Sequence, residues 1–167
     1  MKSRYSTISP KGKAMLTFLD LDAWKESRTL YKALYQAVKQ LPDTEVYGIS
    51  SQMRRAAISI SSNIAEGQGR GSRKDYIHFL YIARGSAYEL EAQLIACADL
   101  NLIDKNTLTD LYKQTIKVIR LLNGLIYSLK KSKKLSLGEE CKPYGKSDKV
   151  TIFDDIEQWE RFINPKP

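Results

Sequence analysis

Apolar side chains return at intervals of three and four through four long stretches of this chain. That spacing is the period of one face of an α-helix. Between Asp22 and Gln40 the stripe is Trp24, Leu30, Tyr31, Leu34, Tyr35 and Val38, with Leu41 just beyond. Pro42 ends it, because proline has no amide hydrogen with which to continue the ladder. Asp43 or Thr44 can cap the next helix, whose stripe runs Val46, Ile49, Met53, Ala56, Ala57, Ile60 and Ile64. The stretch "AISISSNI" also invites a strand reading, but its alternation is brief and no turn residues bound it. Its serines fall largely off the apolar stripe and keep the helix slim, so that a neighbour can come close. Gly67 is the expected end, since glycine takes a left-handed cap at little cost.

Ser72 opens a third helix, with Asp75 three residues on as a variant capping box. Its stripe is Tyr76, Leu80, Ala83, Ala87, Leu90, Leu94 and Cys97. A break at "DLNLIDKN" follows, and Asn106 or Thr107 caps a fourth helix striped by Leu108, Leu111, Thr115, Val118, Leu122, Leu125 and Leu129. Four amphipathic helices on short links predict an all-α protein, an antiparallel up-and-down four-helix bundle over residues 19–134. Residues 1–18 read as a flexible N-terminal segment. Residues 135–167 read as a polar linker and a short helical segment, capped by Asp154 with Glu157 and apolar at Ile156, Trp159, Phe162 and Ile163. That segment either packs on the bundle or docks on a partner through Trp159 and Phe162.

The composition narrows function through charge. Formal net charge is +8 and the pI about 9.4, a surplus that favours an anionic partner such as nucleic acid. No apolar run is long enough to span a bilayer, and the N-terminus lacks the pattern of a secretory signal. The two cysteines, Cys97 and Cys141, make neither a disulfide framework nor a zinc site. A cytoplasmic location is the simple reading. Catalysis finds little to work with. His78 is the lone histidine, so a metal site or a Ser-His-Asp arrangement lacks its parts. Glu66, Glu89 and Glu91 lie on or beside packed faces without a spacing that demands paired-carboxylate chemistry. No enzyme, cofactor or metal is expected.

Gly67, Gly69 and Gly71 are spaced like a nucleotide loop, but a helix precedes them where a strand is required. A tight turn between helices explains them better. That turn feeds the N-terminus of the third helix, whose free N–H groups attract anions, and Arg70, Arg73 and Lys74 crowd it. Arg54 and Arg55 lie off the apolar stripe of the second helix, and Arg84 lies on the third. Lys113, Lys117 and Arg120 share one face of the fourth, with Lys130 and Lys131 beyond them and few acids between. Backbone-dominated contact with RNA or DNA phosphates is the expectation.

Specific strings support this reading. Gln52 to Ala56, Ser62 to Gly67, Gly69-Arg70, Gly85-Ser86 and Glu89 to Glu91 resemble the signature of a bacterial family. The family is the four-helix-bundle proteins encoded in intervening sequences of large-subunit ribosomal RNA genes. The resemblance covers about residues 20–130. It implies a ring-forming homo-oligomer, typically a pentamer, without enzymatic activity. It also implies similarity in fold to the accessory variability determinant of diversity-generating retroelements, which would make a reverse transcriptase a possible partner. A protein–protein adaptor that binds no nucleic acid is the alternative. In an assembling bundle, Asn63 and Glu66 are expected to bond to a neighbouring helix or subunit, with Gly67, Glu89 and Glu91 serving structure.

Overall fold

The computed structural model describes residues 17–45, 47–134 and 156–163. The predicted linker, most of the N-terminal segment, and the Asp154 cap lie outside them. The described residues are helical and contain no strand. Helix α1 spans Asp22–Ala37, α2 Ile49–Gly69, α3 Arg73–Asp99, α4 Lys105–Lys134 and α5 Ile156–Ile163, with short 3-10 turns at Phe18–Asp20, Val38–Gln40 and Asp43–Glu45. Each of the first four helices packs on its neighbour in sequence, and α4 closes back on α1. The short links force neighbours to run antiparallel.

The predicted stripes are the core. Leu30 and Leu34 of α1, Met53, Ile60 and Ile64 of α2, Leu80, Leu90 and Leu94 of α3, and Leu108 and Ile119 of α4 are fully buried. The burial of Tyr112, Ile116, Ile119 and Ile126 adds a second row to the α4 stripe. The closest packing lies between α2 and α3. There Ala57, Ala83 and Ala87 are fully buried, and small side chains let two backbones approach.

The ends of the helices differ from expectation. Neither Asp43 nor Thr44 caps α2. Both fall in a 3-10 turn, and the Glu45 carboxylate accepts the Ile49 amide at 3.3 Å instead. Asp104 caps α4, its Oδ1 accepting the Thr107 amide at 3.0 Å. Hydrogen bonds from Thr107 hold the Asp104 carboxyl below the ordinary carboxylate range. Ser72 caps α3 as predicted, accepting the Asp75 amide at 3.3 Å.

Gly67 does not end α2. The helix continues to Gly69, and the left-handed residue is Gly71, at φ 70°. Gly67 is instead a packing residue. A Cβ there would lie 2.7 Å from Phe79 Cβ and 3.0 Å from the Tyr76 ring.

Helix α5 lies against α4 of its own chain. Trp159 is fully buried and stacks face to face on Tyr112, ring centroids 4.1 Å apart. Glu160 reaches Lys113 at 3.6 Å. The indole chosen from the sequence as a docking group is therefore used within the chain, because Tyr112 supplies a flat apolar platform for it. Phe162, beside it, is 38% exposed.

Two glycine substitutions separate these roles. Gly67→Ala is expected to lower stability by about 1–3 kcal/mol, because Phe79 Cβ cannot swing aside. Gly124→Ala, in α4 with nothing within 4 Å of the added carbon, is expected to raise it by up to about 1 kcal/mol. Denaturant unfolding of both variants checks this, and equal effects would contradict the packing described.

Candidate polyanion interface

The helix ends sort the charges along the bundle. At one end lie the α2–α3 turn and the last turns of α4. They carry Arg70, Arg73, Lys74, Lys130 and Lys131 against Glu66 and Asp75, and the start of α1 at the same end adds Lys25 with Asp20 and Asp22. At the other end, Asp43, Glu45, Asp99 and Asp104 stand against Lys39 and Lys105. The bundle is thus polarised, cationic at the turn and acidic opposite. The α3 N-terminus adds its partial positive charge to the cationic end.

Within that end, Arg70 pairs with Glu66 and lies over the Phe79 ring at 5.0 Å. Arg73 and Lys74 are exposed on the first turn of α3 with no acidic partner among the described residues. Further along, Tyr81 collects two cations. Arg84 Cζ lies 4.8 Å and Lys130 Nζ 5.0 Å from its ring centroid. Lys130 donates to the Tyr81 hydroxyl, and Arg84 Nη1 donates to Asn123 Oδ1 at 2.9 Å. Neither cation is paired with an acid among the described residues. Two positive charges are therefore held on one ring between α3 and α4, Arg84 half-buried and Lys130 exposed, where they repel each other and attract an anion.

The α4 stripe differs from its appearance in sequence. Lys117 pairs with Glu26 of α1 at 2.7 Å, and Lys113 with Glu160 of α5 at 3.6 Å. Folding brings acids to a face that has none nearby in sequence. Arg120 alone of the three keeps its charge unmatched among the described residues.

The residues expected to direct assembly make their bonds inside the protomer. Asn63 donates to the Ser59 carbonyl at 2.8 Å and to Ser59 Oγ at 3.0 Å, both in its own helix. Ser59 and Ser86 hydroxyls meet at 2.8 Å across the α2–α3 seam, and Ser86 donates to the Ile82 carbonyl. Glu66 is taken by Arg70, four residues on. The hydrogen bonds of Asn63 and Glu66 among the described residues thus stay within α2 and its C-cap. Glu89 accepts from Gln93 at 3.2 Å. Glu91 is fully buried and accepts from the Tyr112 hydroxyl at 3.1 Å.

Arg54 and Arg55 flank an open hollow of about 480 Å³ on the outer side of α2. Arg54 lies 5.8 Å from the Tyr35 ring centroid. A second hollow of about 530 Å³, lined by Tyr31, Lys32 and Gln36, shares Tyr35 and Ile58 with the first. His78 is exposed, its ring edge-on to Phe79, and the described residues hold no cluster suited to a metal. Asn123 and Ser59 escaped the sequence reading. The three-residue spacing of Tyr81 and Arg84 hinted at their pairing, but nothing local announces Lys130.

A family model described as 23S rRNA-intervening sequence protein matches residues 19–124. This chain belongs to that family. The match spans α1 to α3 and most of α4, so Arg84, Tyr81 and Asn123 lie within the 23S rRNA-intervening sequence protein fold. Lys130, Lys131 and α5 extend past the matched span. No curated protein matches the chain. Among the described residues, no helix is long and apolar enough to cross a membrane.

Cys97 gives a direct check on this packing. It is fully buried, its thiol donates to Met53 Sδ at 3.7 Å, and burial, helped by the Glu45 charge, pushes its pKa up to about 11. At neutral pH it stays a protonated, shielded thiol. Iodoacetamide should leave Cys97 unmodified in the native protein and label it after unfolding, as read by peptide mapping. Rapid native labelling would contradict the α2–α3 packing.

Proposed function

We propose that this chain is a non-enzymatic, oligomeric bundle that binds RNA through backbone phosphates at its cationic end and serves an RNA-handling enzyme as an accessory factor. The observation that carries the reading is the pair of cations on Tyr81. A structure that holds Arg84 and Lys130 together without an acid tolerates like-charge repulsion that a phosphate would relieve. Arg73, Lys74 and Lys131 extend the same positive field toward the end of the bundle. Readout of base edges in a groove needs a recognition helix, and this surface is two helix flanks and a turn. Binding there is therefore governed by charge and shape. The membership of an rRNA-associated family makes RNA the polyanion to test before DNA.

Assembly is part of the proposal. Ile82 is 40% exposed on the outer face of α3, beside Gly85. A Cβ on Gly85 would meet nothing within 4 Å. A glycine inside a helix costs about 1 kcal/mol, and no contact within the protomer calls for this one. A second copy packing on that face would use the room, and a closed ring such as a pentamer would multiply the cationic ends. The resemblance to a retroelement accessory protein makes a reverse transcriptase the first enzyme to try as partner.

The test is a salt titration of RNA binding. Log affinity should fall linearly with log salt. Arg84→Ala with Lys130→Ala should flatten the slope by up to about two phosphate contacts. Lys113→Ala with Lys117→Ala, whose charges are already matched, should change it much less. If the wild-type protein binds no RNA at low ionic strength, the adaptor alternative replaces this reading.

A further inference from the structure

The two hollows on the outer side of α1 and α2 share Tyr35 and Ile58, so they lie side by side as the two halves of one trough-like surface. Its two halves differ in chemistry. One carries Arg54, Arg55 and the hydroxyls of Ser51 and Ser59. The other carries Tyr31, Lys32 and Gln36. Tyr31 meets Tyr35 edge to face, centroids 6.3 Å apart at 74°. Both tyrosines are half-buried, which fixes their rings while leaving part of each open. Arg54 and Arg55 have no acidic partner among the described residues.

We infer that this trough binds single-stranded RNA, with phosphates on Arg54 and Arg55 and bases against Tyr31 and Tyr35. Two half-buried tyrosine rings beside unmatched guanidinium groups suit a ligand that alternates rings and phosphates. A duplex keeps its base faces stacked inside and offers only its backbone. An acidic peptide would satisfy the arginines but leave the tyrosine faces unused. Glu89 on the far wall refines the choice. It would repel a phosphate placed on its side, but a carboxylate accepts several hydrogen bonds. Having taken one from Gln93, it can take another from a ribose 2′-hydroxyl. The trough thereby favours RNA over DNA. This inference rests on the reading of the chain as an RNA binder, and it adds a surface separate from the Arg84–Lys130 cluster.

The experiment compares labelled oligouridine, oligodeoxyuridine and an RNA duplex by fluorescence anisotropy, with light scattering for oligomeric state. Tyr35→Ala should weaken oligouridine binding roughly 5- to 150-fold, the range of one lost base stack, and leave duplex binding unchanged. Tyr35→Phe, which keeps the ring, should bind as wild type. Glu89→Gln should narrow the preference for oligouridine over oligodeoxyuridine. Should Tyr35→Ala fail to fold, Arg54→Gln with Arg55→Gln carries the test and should weaken oligouridine selectively. Wild-type oligouridine affinity in these variants would overturn the inference. If the Arg84 and Lys130 substitutions still weakened both RNAs, the broader RNA reading would survive. Dissociation of the assembly by Tyr35→Ala with RNA affinity intact would also overturn it, by assigning the trough to a second copy. If the wild-type protein binds no RNA at all, both readings fall together.

Discussion

The close seam between α2 and α3 is the contact on which the rest of this structure depends. Ala57, Ala83 and Ala87 are buried along it, and Gly67 sits where any side chain would strike Phe79. The two helices are joined by only Arg70, Gly71 and Ser72. Gly71 takes the left-handed conformation that so tight a reversal requires. The arginines and lysine of that turn are thereby fixed at one end of the bundle. The same seam sets the outward faces of both helices, and with them Arg54, Arg55 and Ile82.

Charge is partitioned by the same geometry. Along α4, Lys113 and Lys117 meet acids from α5 and α1 and become part of the scaffold. Arg84 and Lys130 meet a tyrosine ring, which holds cations without cancelling them. An exposed ion pair contributes little stability, so the scaffold pairs matter mainly for what they remove from the surface field. What remains is concentrated at the α2–α3 turn, along Tyr81, and on the α2 rim. Asn63, Ser59 and Ser86 form a hydrogen-bonded chain across the seam.

The bundle was legible in the sequence because its signal is local. A three-and-four spacing reports the buried face of each helix wherever the neighbours lie, and Leu30, Ile60, Leu90 and Leu122 all fell inside as read. Caps were less legible. Glu45 and Asp104 do the work assigned to Asp43, Thr44, Asn106 and Thr107, because a one- or two-residue shift in backbone geometry decides which side chain faces the free amides. Gly67 was misjudged for a related reason: a glycine needed for close approach looks the same in sequence as one needed for a turn. The charge map was the least legible. Glu26 and Lys117 are 91 residues apart, and the spacing of Lys113, Lys117 and Arg120 cannot show that acids arrive from other helices. The amphipathic face of α5 was visible, whereas Tyr112 as its platform was not.

The central claim is that RNA is held by the cations that the fold leaves unmatched by acids. Photocrosslinking of the wild-type protein to RNA, followed by mapping of the modified peptides, tests it most directly. The account predicts crosslinked peptides from the α2–α3 turn, the C-terminal half of α4 and the Tyr31–Tyr35 and Arg54–Arg55 trough, with none from the Asp43–Glu45 turn or the Asp99–Asp104 link. Crosslinks concentrated at that acidic end, or spread evenly along all four helices, would contradict it.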